Sequence, residues 1–268
     1  MTPLMDDLGF NIGNAVPWFP HEQEQPYVLV RMTAQHVALL EDAMAEPLRR
    51  CYITDEVLKA AADRHGLTLS EVLAGKLPDA GATMAGDFGE VLGYFYQSAM
   101  EYPGNAIGPK KWRLKQDRTK PAPKSDVIHF IMPQRPAASA ADQVLCAEVK
   151  VKSTSASSDP IGSAITDCAK DRTSRLASTL VWLRERAMTD DLGDVDIPLL
   201  NRFINTVDYP PAARRYRAVA VICENFVTAE LSNVPATASD EYTLVVISVP
   251  NLHTTYNAIF AAARASVL

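Results

Sequence analysis

Apolar and charged residues alternate over residues 146–152, CAEVKVK. Side chains of a β-strand point to its two faces in turn, so this alternation predicts a strand with one apolar and one charged face. The charged members are Glu148, Lys150 and Lys152. This charged face has two interpretations. Either it simply contacts water, or it holds an acid and a lysine side by side for metal-dependent phosphodiester chemistry.

The same periodicities predict the other elements. Strands are expected at 26–33, 112–115, 125–132, 216–223 and 242–249, and helices at 34–45, 55–66, 86–100, 161–187 and 251–265. Thr54 and Gly66 are suitable cap residues for the second helix, and Thr68 or Ser70 begins a further short one. The order predicts an α/β fold with a central mixed β-sheet flanked by helices.

Residues 75–85 are rich in Gly, Pro and Ala, which is typical of a boundary. We therefore predict an N-terminal α+β region over residues 1–80 and a core over residues 81–268. The full length of 268 residues suits either one large domain or this division.

Composition narrows the functional classes. With 47% hydrophobic and 22% charged residues the chain is globular. Its net charge of −6 argues against a protein that coats nucleic acid through overall positive charge, so any nucleic-acid site must be local. The four cysteines are far apart, without metal-ligand spacing, which favours a reducing compartment.

No segment is long and apolar enough to span a membrane, and the start, MTPLMDDLGF, lacks a basic signal-peptide region. We expect a cytoplasmic protein that does not associate with membranes.

Three predicted elements bring carboxylates toward one place. Asp126 opens the strand before the charged one, Glu148 and Lys150 share a face, and Glu90 lies on a preceding helix among glycines. Converging carboxylates form a hard-oxygen site suited to Mg²⁺ or Mn²⁺. Asp126 and Glu148 would bind the ion, with help from the Val149 carbonyl. Lys150 would orient or deprotonate the attacking water, and Glu90 would hold a metal-bound water or a second ion.

A basic segment immediately precedes Asp126. Seven of the 26 basic residues of the chain fall in it, against one acid: Lys110, Lys111, Arg113, Lys115, Arg118, Lys120 and Lys124. Such a concentration is what contact with a DNA or RNA backbone needs, although a solvated loop is the alternative. Trp112 either stacks on a base or packs in the core. Arg214, Arg215 and Arg217 form a smaller basic cluster.

Other catalytic chemistries find no support in the sequence. His129 is predicted to be a packed strand histidine and His253 a structural one, and neither has zinc-type spacing. No nucleophile elbow, P-loop or Rossmann glycine pattern is present in the sequence.

The pairs Gly89-Glu90 and Ser125-Asp126 and the triplet Glu148-Val149-Lys150, in this order, resemble the PD-(D/E)xK nuclease superfamily, whose fold is restriction-endonuclease-like. Ser125 stands where the superfamily has its namesake proline. The stretches WRLKQDRTKPAPKSDVIHF, AEVKVKS, SDPIGSAITDCAKD and YTLVVISVPNLHTTYNAIFAAA are similar to the HamA family, nuclease subunits of the Hachiman anti-phage defence system. This resemblance covers roughly residues 85–265.

The resemblance implies cleavage of DNA with Mg²⁺ or Mn²⁺, restrained or triggered by a partner helicase of the HamB type. It assigns Asp126 and Glu148 as metal ligands, Lys150 as the catalytic lysine and Glu90 as the helical acid. The N-terminal region would then be the docking surface for the partner. The alternative is the same fold with an idle site, acting as a DNA-binding or assembly subunit.

Overall fold

The computed structural model describes residues 7–155 and 157–267. Its centre is a mixed seven-stranded sheet, in the order β1-β2-β7-β6-β5-β4-β3. The strands are β1 (His21–Gln23), β2 (Val28–Arg31), β3 (Ala106–Ile107), β4 (Val127–Ile131), β5 (Gln143–Lys152), β6 (Ala213–Cys223) and β7 (Thr243–Val249). Strands β2, β7, β6 and β5 are parallel, whereas β1, β4 and β3 pair antiparallel with their neighbours.

Helices cover both faces of the sheet, which confirms the predicted α/β class. They are α1 (Ala34–Tyr52), α2 (Asp55–His65), α3 (Leu69–Ala74), α4 (Ala82–Met100), α5 (Pro160–Lys170), α6 (Leu176–Arg186), α7 (Ile197–Ile204), α8 (Glu224–Glu230) and α9 (Leu252–Ala265). The first four helices and α9 share a core with one face, and α5 to α8 pack on the other. None of the helices in the described ranges is long and apolar enough to cross a lipid bilayer.

Two glycines allow α4 to approach β5 closely. A Cβ atom at Gly89 would overlap the Cγ2 methyl of Val151, and one at Gly93 would lie 3.0 Å from Cγ2 of Val149. These contacts hold α4 against the apolar face of β5, and they fix the position of Glu90, which follows Gly89 directly.

We expect Gly89→Ala to lower the free energy of unfolding by about 1–3 kcal/mol, because the added methyl group overpacks the α4–β5 contact. Gly86 is a matched control in the same helix, since a Cβ there would meet no atom within 4 Å. Gly86→Ala should instead stabilise the protein by about 0.5–1 kcal/mol through helix propensity. Urea unfolding of the two variants measures both effects, and equal midpoints would contradict the packing argument.

Most predicted elements are confirmed within a few residues. Thr54 and Thr68 accept hydrogen bonds at the starts of α2 and α3, and Gly66 ends α2 in the left-handed region. The helix predicted at 161–187 is present as α5, a π-helical turn over Asp171–Arg175, and α6.

The predicted strand at 112–115 is wrong, because the segment Lys111–Leu114 is a 3-10 helix. Its side chains do not alternate between two faces. Trp112 is buried against the ring of Tyr94 while its neighbours pair with acids in different elements. The edge of the sheet beside β4 is formed by β3 at Ala106–Ile107.

The N-terminal region contributes directly to the sheet. Strand β2 pairs parallel with β7, and α1 packs in the same core as α9. Arg49 on α1 donates to Ser266 Oγ at 3.1 Å, which ties the region to the last residues described. The division at residue 80 and the docking role of this region stay predictions.

Candidate active site

Strand β5 presents Glu148 and Lys150 on one face, as its alternation predicts. The Glu148 side chain is only 2% exposed, whereas that of Lys150 is 29% exposed. Glu148 therefore does not belong to a face that simply contacts water. The Lys150 ammonium lies 2.5 Å from Glu148 Oε1 and 2.7 Å from Asp167 Oδ2 on α5. Lys152, two residues on, is paired with Glu230 at 2.5 Å.

Asp126 lies beside Glu148 at the start of β4. Val127 pairs with Ala147 in the antiparallel ladder, which places the preceding residue next to Glu148. Asp126 Oδ2 accepts a hydrogen bond from the Val149 amide at 2.8 Å, so its carboxylate is fixed against β5. Burial, and then the negative charge of Asp126, raise the pKa of Glu148 to about 8. The pair of carboxylates therefore favours a nearby cation.

Glu90 approaches from the helix that covers the opposite face of the sheet. Its Oε2 accepts from Trp112 Nε1 at 3.1 Å and lies 3.3 Å from the Lys111 ammonium. Burial raises the pKa of Glu90 to about 8, with Asp126 adding to the rise and Lys111 opposing it. Lys111 also lies 3.8 Å from Asp126 Oδ1, so it connects the two acids.

Helix α5 and the π-helical turn supply three residues that the sequence analysis missed. Arg175 Nη2 lies 2.5 Å from Glu148 Oε2, and Arg175 Nε lies 2.7 Å from Asp171 Oδ1. Asp171 in turn accepts from Ser125 Oγ at 2.6 Å. Asp167, Asp171 and Arg175 recur every four residues, which is the spacing of one helix face and was a readable signal. Single-turn π-helices are frequent at functional sites.

The carboxylates of this site suit one hard cation that is bound partly by water and substrate, rather than one that is enclosed by protein ligands alone. Among the residues that the structure describes, no three His, Cys, Asp or Glu side chains are placed to hold a metal ion. Mg²⁺, however, is usually bound through one or two carboxylates, with waters and substrate phosphates completing its octahedron. Asp126 and Glu148 provide that number of carboxylates, and the charge of Asp126 adds to the burial that raises the pKa of Glu148.

Comparison with known families gives an independent result. A model of the HamA family matches residues 26–263, nearly the whole chain. The chain belongs to the HamA family. It is therefore a component of Hachiman anti-phage defence. The family match begins at residue 26, inside the N-terminal region, whereas the resemblance seen in the sequence began at about residue 85. No curated protein matches this HamA-family chain.

The basic segment of this HamA-family chain is largely turned inward. Lys110, Lys111 and the side chain of Lys115 are buried, and contact of these three with a nucleic-acid backbone stays a prediction. Lys110 pairs with Asp7, and Lys115 lies 2.7 Å from Asp87 Oδ2. These ammonium groups compensate buried carboxylates, which is why they leave the surface.

The remaining basic residues range from mostly buried to exposed. Arg113 is mostly buried and lies 2.7 Å from Asp7 Oδ2, whereas Arg118 pairs with Asp79 near the surface. Lys120 and Lys124 are exposed, and contact of these two with nucleic acid stays a prediction. In the smaller cluster, Arg215 and Arg217 pair with Glu101 at 3.2 and 2.8 Å, and Arg214 is exposed.

His129 is a packed strand histidine, as predicted. It is fully buried, with Gln97 Nε2 2.9 Å from Nδ1 and Ser98 Oγ 2.7 Å from Nε2. Burial, with smaller contributions from Lys110 and Arg217, holds its pKa well below the usual value. The neutral imidazole is therefore the form that the folded protein contains near neutral pH.

His129 should make the protein less stable in mild acid. The unfolded chain takes up a proton below about pH 6.5 that the folded chain does not, so this contribution to stability is present above pH 6.5 and lost as the pH falls. Between pH 7 and pH 5, the unfolding free energy of the wild type should fall by about 2 kcal/mol more than that of the His129→Gln variant. The exposed His65→Gln is the control, and identical pH profiles for the two variants would contradict the assignment.

Proposed function

We propose that this HamA-family chain is a metal-dependent nuclease that cleaves DNA phosphodiester bonds in Hachiman defence, under the control of a partner helicase. The observation that supports the nuclease is the convergence of Asp126, Glu148 and Lys150 on one face of the sheet. The family relationship supports the defence setting and the helicase, with residues 1–80 as the proposed docking surface.

Asp126 and Glu148 would hold Mg²⁺ or Mn²⁺. When bound, the ion would polarise the scissile phosphate and offset the charge that develops on it. The two carboxylates are fixed for this purpose by the Val149 amide and by Arg175. Arg175 is a positioning residue, because Asp171 orients its guanidinium toward Glu148.

Lys150 acts as a cation in this proposal rather than as a base. Burial lowers the pKa of its ammonium, but hydrogen bonds to Asp167 and Glu148 outweigh this and leave the pKa raised. A charged lysine can donate a hydrogen bond to the attacking water and stabilise the negative charge of the transition state. Asp167 holds the ammonium on the exposed side of Glu148, where substrate would arrive.

Metal binding tests the proposal directly. The wild-type melting temperature should rise with Mg²⁺ or Mn²⁺ in the presence of duplex DNA, by an amount equivalent to about 2.7 kcal/mol at a metal concentration 100 times the Kd. Asp126→Asn should abolish the rise, and Asp240→Asn, at an exposed acid outside the site, should retain it. A wild-type melting temperature indifferent to both metals would count against the nuclease.

A second candidate function is a DNA-binding or assembly subunit with an idle site. The observation in its favour is that both oxygens of Glu148 already contact cationic side chains, Lys150 and Arg175. Under this alternative, substitutions at Glu148 would weaken binding or assembly without changing any cleavage of DNA.

A further inference from the structure

Lys111 is an internal lysine at the centre of a ring of oxygens. Its side chain is 6% exposed, and its ammonium donates to the Ser125 carbonyl at 2.8 Å. Glu90 Oε2 and Asp126 Oδ1 lie 3.3 and 3.8 Å away. The ammonium therefore lies among acceptors only and compensates the charge of these two carboxylates.

This position is where a second metal ion would be expected. In two-metal nucleases the ions lie about 3.5–4 Å apart. Asp126 Oδ2 accepts from the Val149 amide, next to Glu148, whereas the Lys111 ammonium lies 3.8 Å from Asp126 Oδ1 and 3.3 Å from Glu90 Oε2. An ion bound jointly by Asp126 and Glu90 would have to occupy the volume of that ammonium.

The charges around the site are consistent with one added ion. Five carboxylates form the network with four cationic side chains: Glu90, Asp126, Glu148, Asp167 and Asp171 with Lys111, Lys150, Lys170 and Arg175. With every carboxylate ionised the network has one negative charge in excess, and one divalent cation changes this to one positive charge. A second divalent ion would raise the excess to three positive charges in a largely buried site, which is costly.

We propose that Lys111 replaces a second metal ion, so that the site takes a single divalent ion between Asp126 and Glu148. The inference rests on the proposed function, and it makes Glu90 a positioning residue that holds Lys111 rather than a metal ligand. Trp112, which donates to the same Glu90 oxygen, completes this support.

The number of bound ions tests the inference without reference to activity. Mn²⁺ is titrated into wild-type protein with a duplex DNA that carries phosphorothioate linkages, and free Mn²⁺ is measured by electron paramagnetic resonance, with the DNA alone subtracted. One tightly bound Mn²⁺ per chain is the expected result. Two ions per chain would overturn the inference and leave the nuclease proposal intact, whereas no bound ion would overturn both.

Variants separate the roles of the two acids. Glu90→Gln, which keeps an oxygen for Trp112, should still bind one Mn²⁺ with unchanged affinity, and Asp126→Asn should bind none. Loss of the ion in Glu90→Gln would overturn the inference, since Glu90 would then be a ligand.

Lys111→Met should admit a second ion if the variant folds. Lys115→Met, which removes a buried lysine paired with Asp87, should not admit one. The Glu90→Gln result decides the matter if Lys111→Met does not fold.

Discussion

Replacement of Lys150 by methionine should lower the rate of DNA cleavage by about 10²–10³-fold, the loss typical of one preorganised donor to the transition state. The ammonium lies on the exposed side of Glu148 and is held there by Asp167, so its removal takes away a charge where substrate would bind. Metal affinity should change little, because Asp126 and Glu148 remain. Single-turnover cleavage at saturating Mn²⁺ measures the effect.

Lys152→Met is the matched control. Lys152 points from the same face of the same strand, but its ammonium is bound by Glu230 at 2.5 Å and by the Ser158 carbonyl at 2.7 Å. Its loss should affect stability and leave the rate of cleavage close to that of the wild type. Equal rates for the two variants would show that Lys150 has no role in the reaction.

Lys111→Met should have the largest effect on stability. Removing one partner of a buried ion pair leaves Glu90 without its compensating charge, which costs about 3–5 kcal/mol. The double variant Lys111→Met/Glu90→Gln should recover much of this loss, because both charges are then absent. Urea unfolding of the wild type, the two single variants and the double variant gives the coupling energy.

Lys120→Met is the control for Lys111, since the Lys120 side chain is 76% exposed and should change stability by less than about 0.5 kcal/mol. If the two substitutions in the Lys111–Glu90 pair prove additive, the pair is not coupled. The account of Lys111 as the internal cation of the site would then be wrong.

The sheet could be predicted from sequence because its strands carry strong local signals. The period of two in CAEVKVK places Glu148 and Lys150 on one face without knowledge of any other element. The runs at 216–223 and 242–249 are apolar apart from Arg217, Thr243 and Ser248, as expected for central parallel strands covered on both faces. Helix α7 was missed, although Asp196 as cap and Pro198 in the first turn are typical start signals.

The electrostatic partners could not be predicted, because they join residues far apart in the chain. Lys110, Lys111 and Lys115 suggest a basic surface in sequence, but Asp7, Glu90 and Asp87 draw them into the interior. The contact of Arg175 with Glu148 likewise depends on a π-helical turn, which has no local sequence pattern comparable to a strand or an amphipathic helix. Burial of a charge is a property of the assembled fold.

Plasmid cleavage tests the central claim most directly. Wild-type protein and Glu148→Gln are incubated with supercoiled DNA and Mg²⁺ or Mn²⁺, each with and without the proposed partner helicase. The account predicts metal-dependent cleavage by the wild type in at least one of these conditions and none by Glu148→Gln in any. A wild-type protein that binds DNA or the helicase but never cleaves, or a Glu148→Gln variant that cleaves as fast as the wild type, would contradict it.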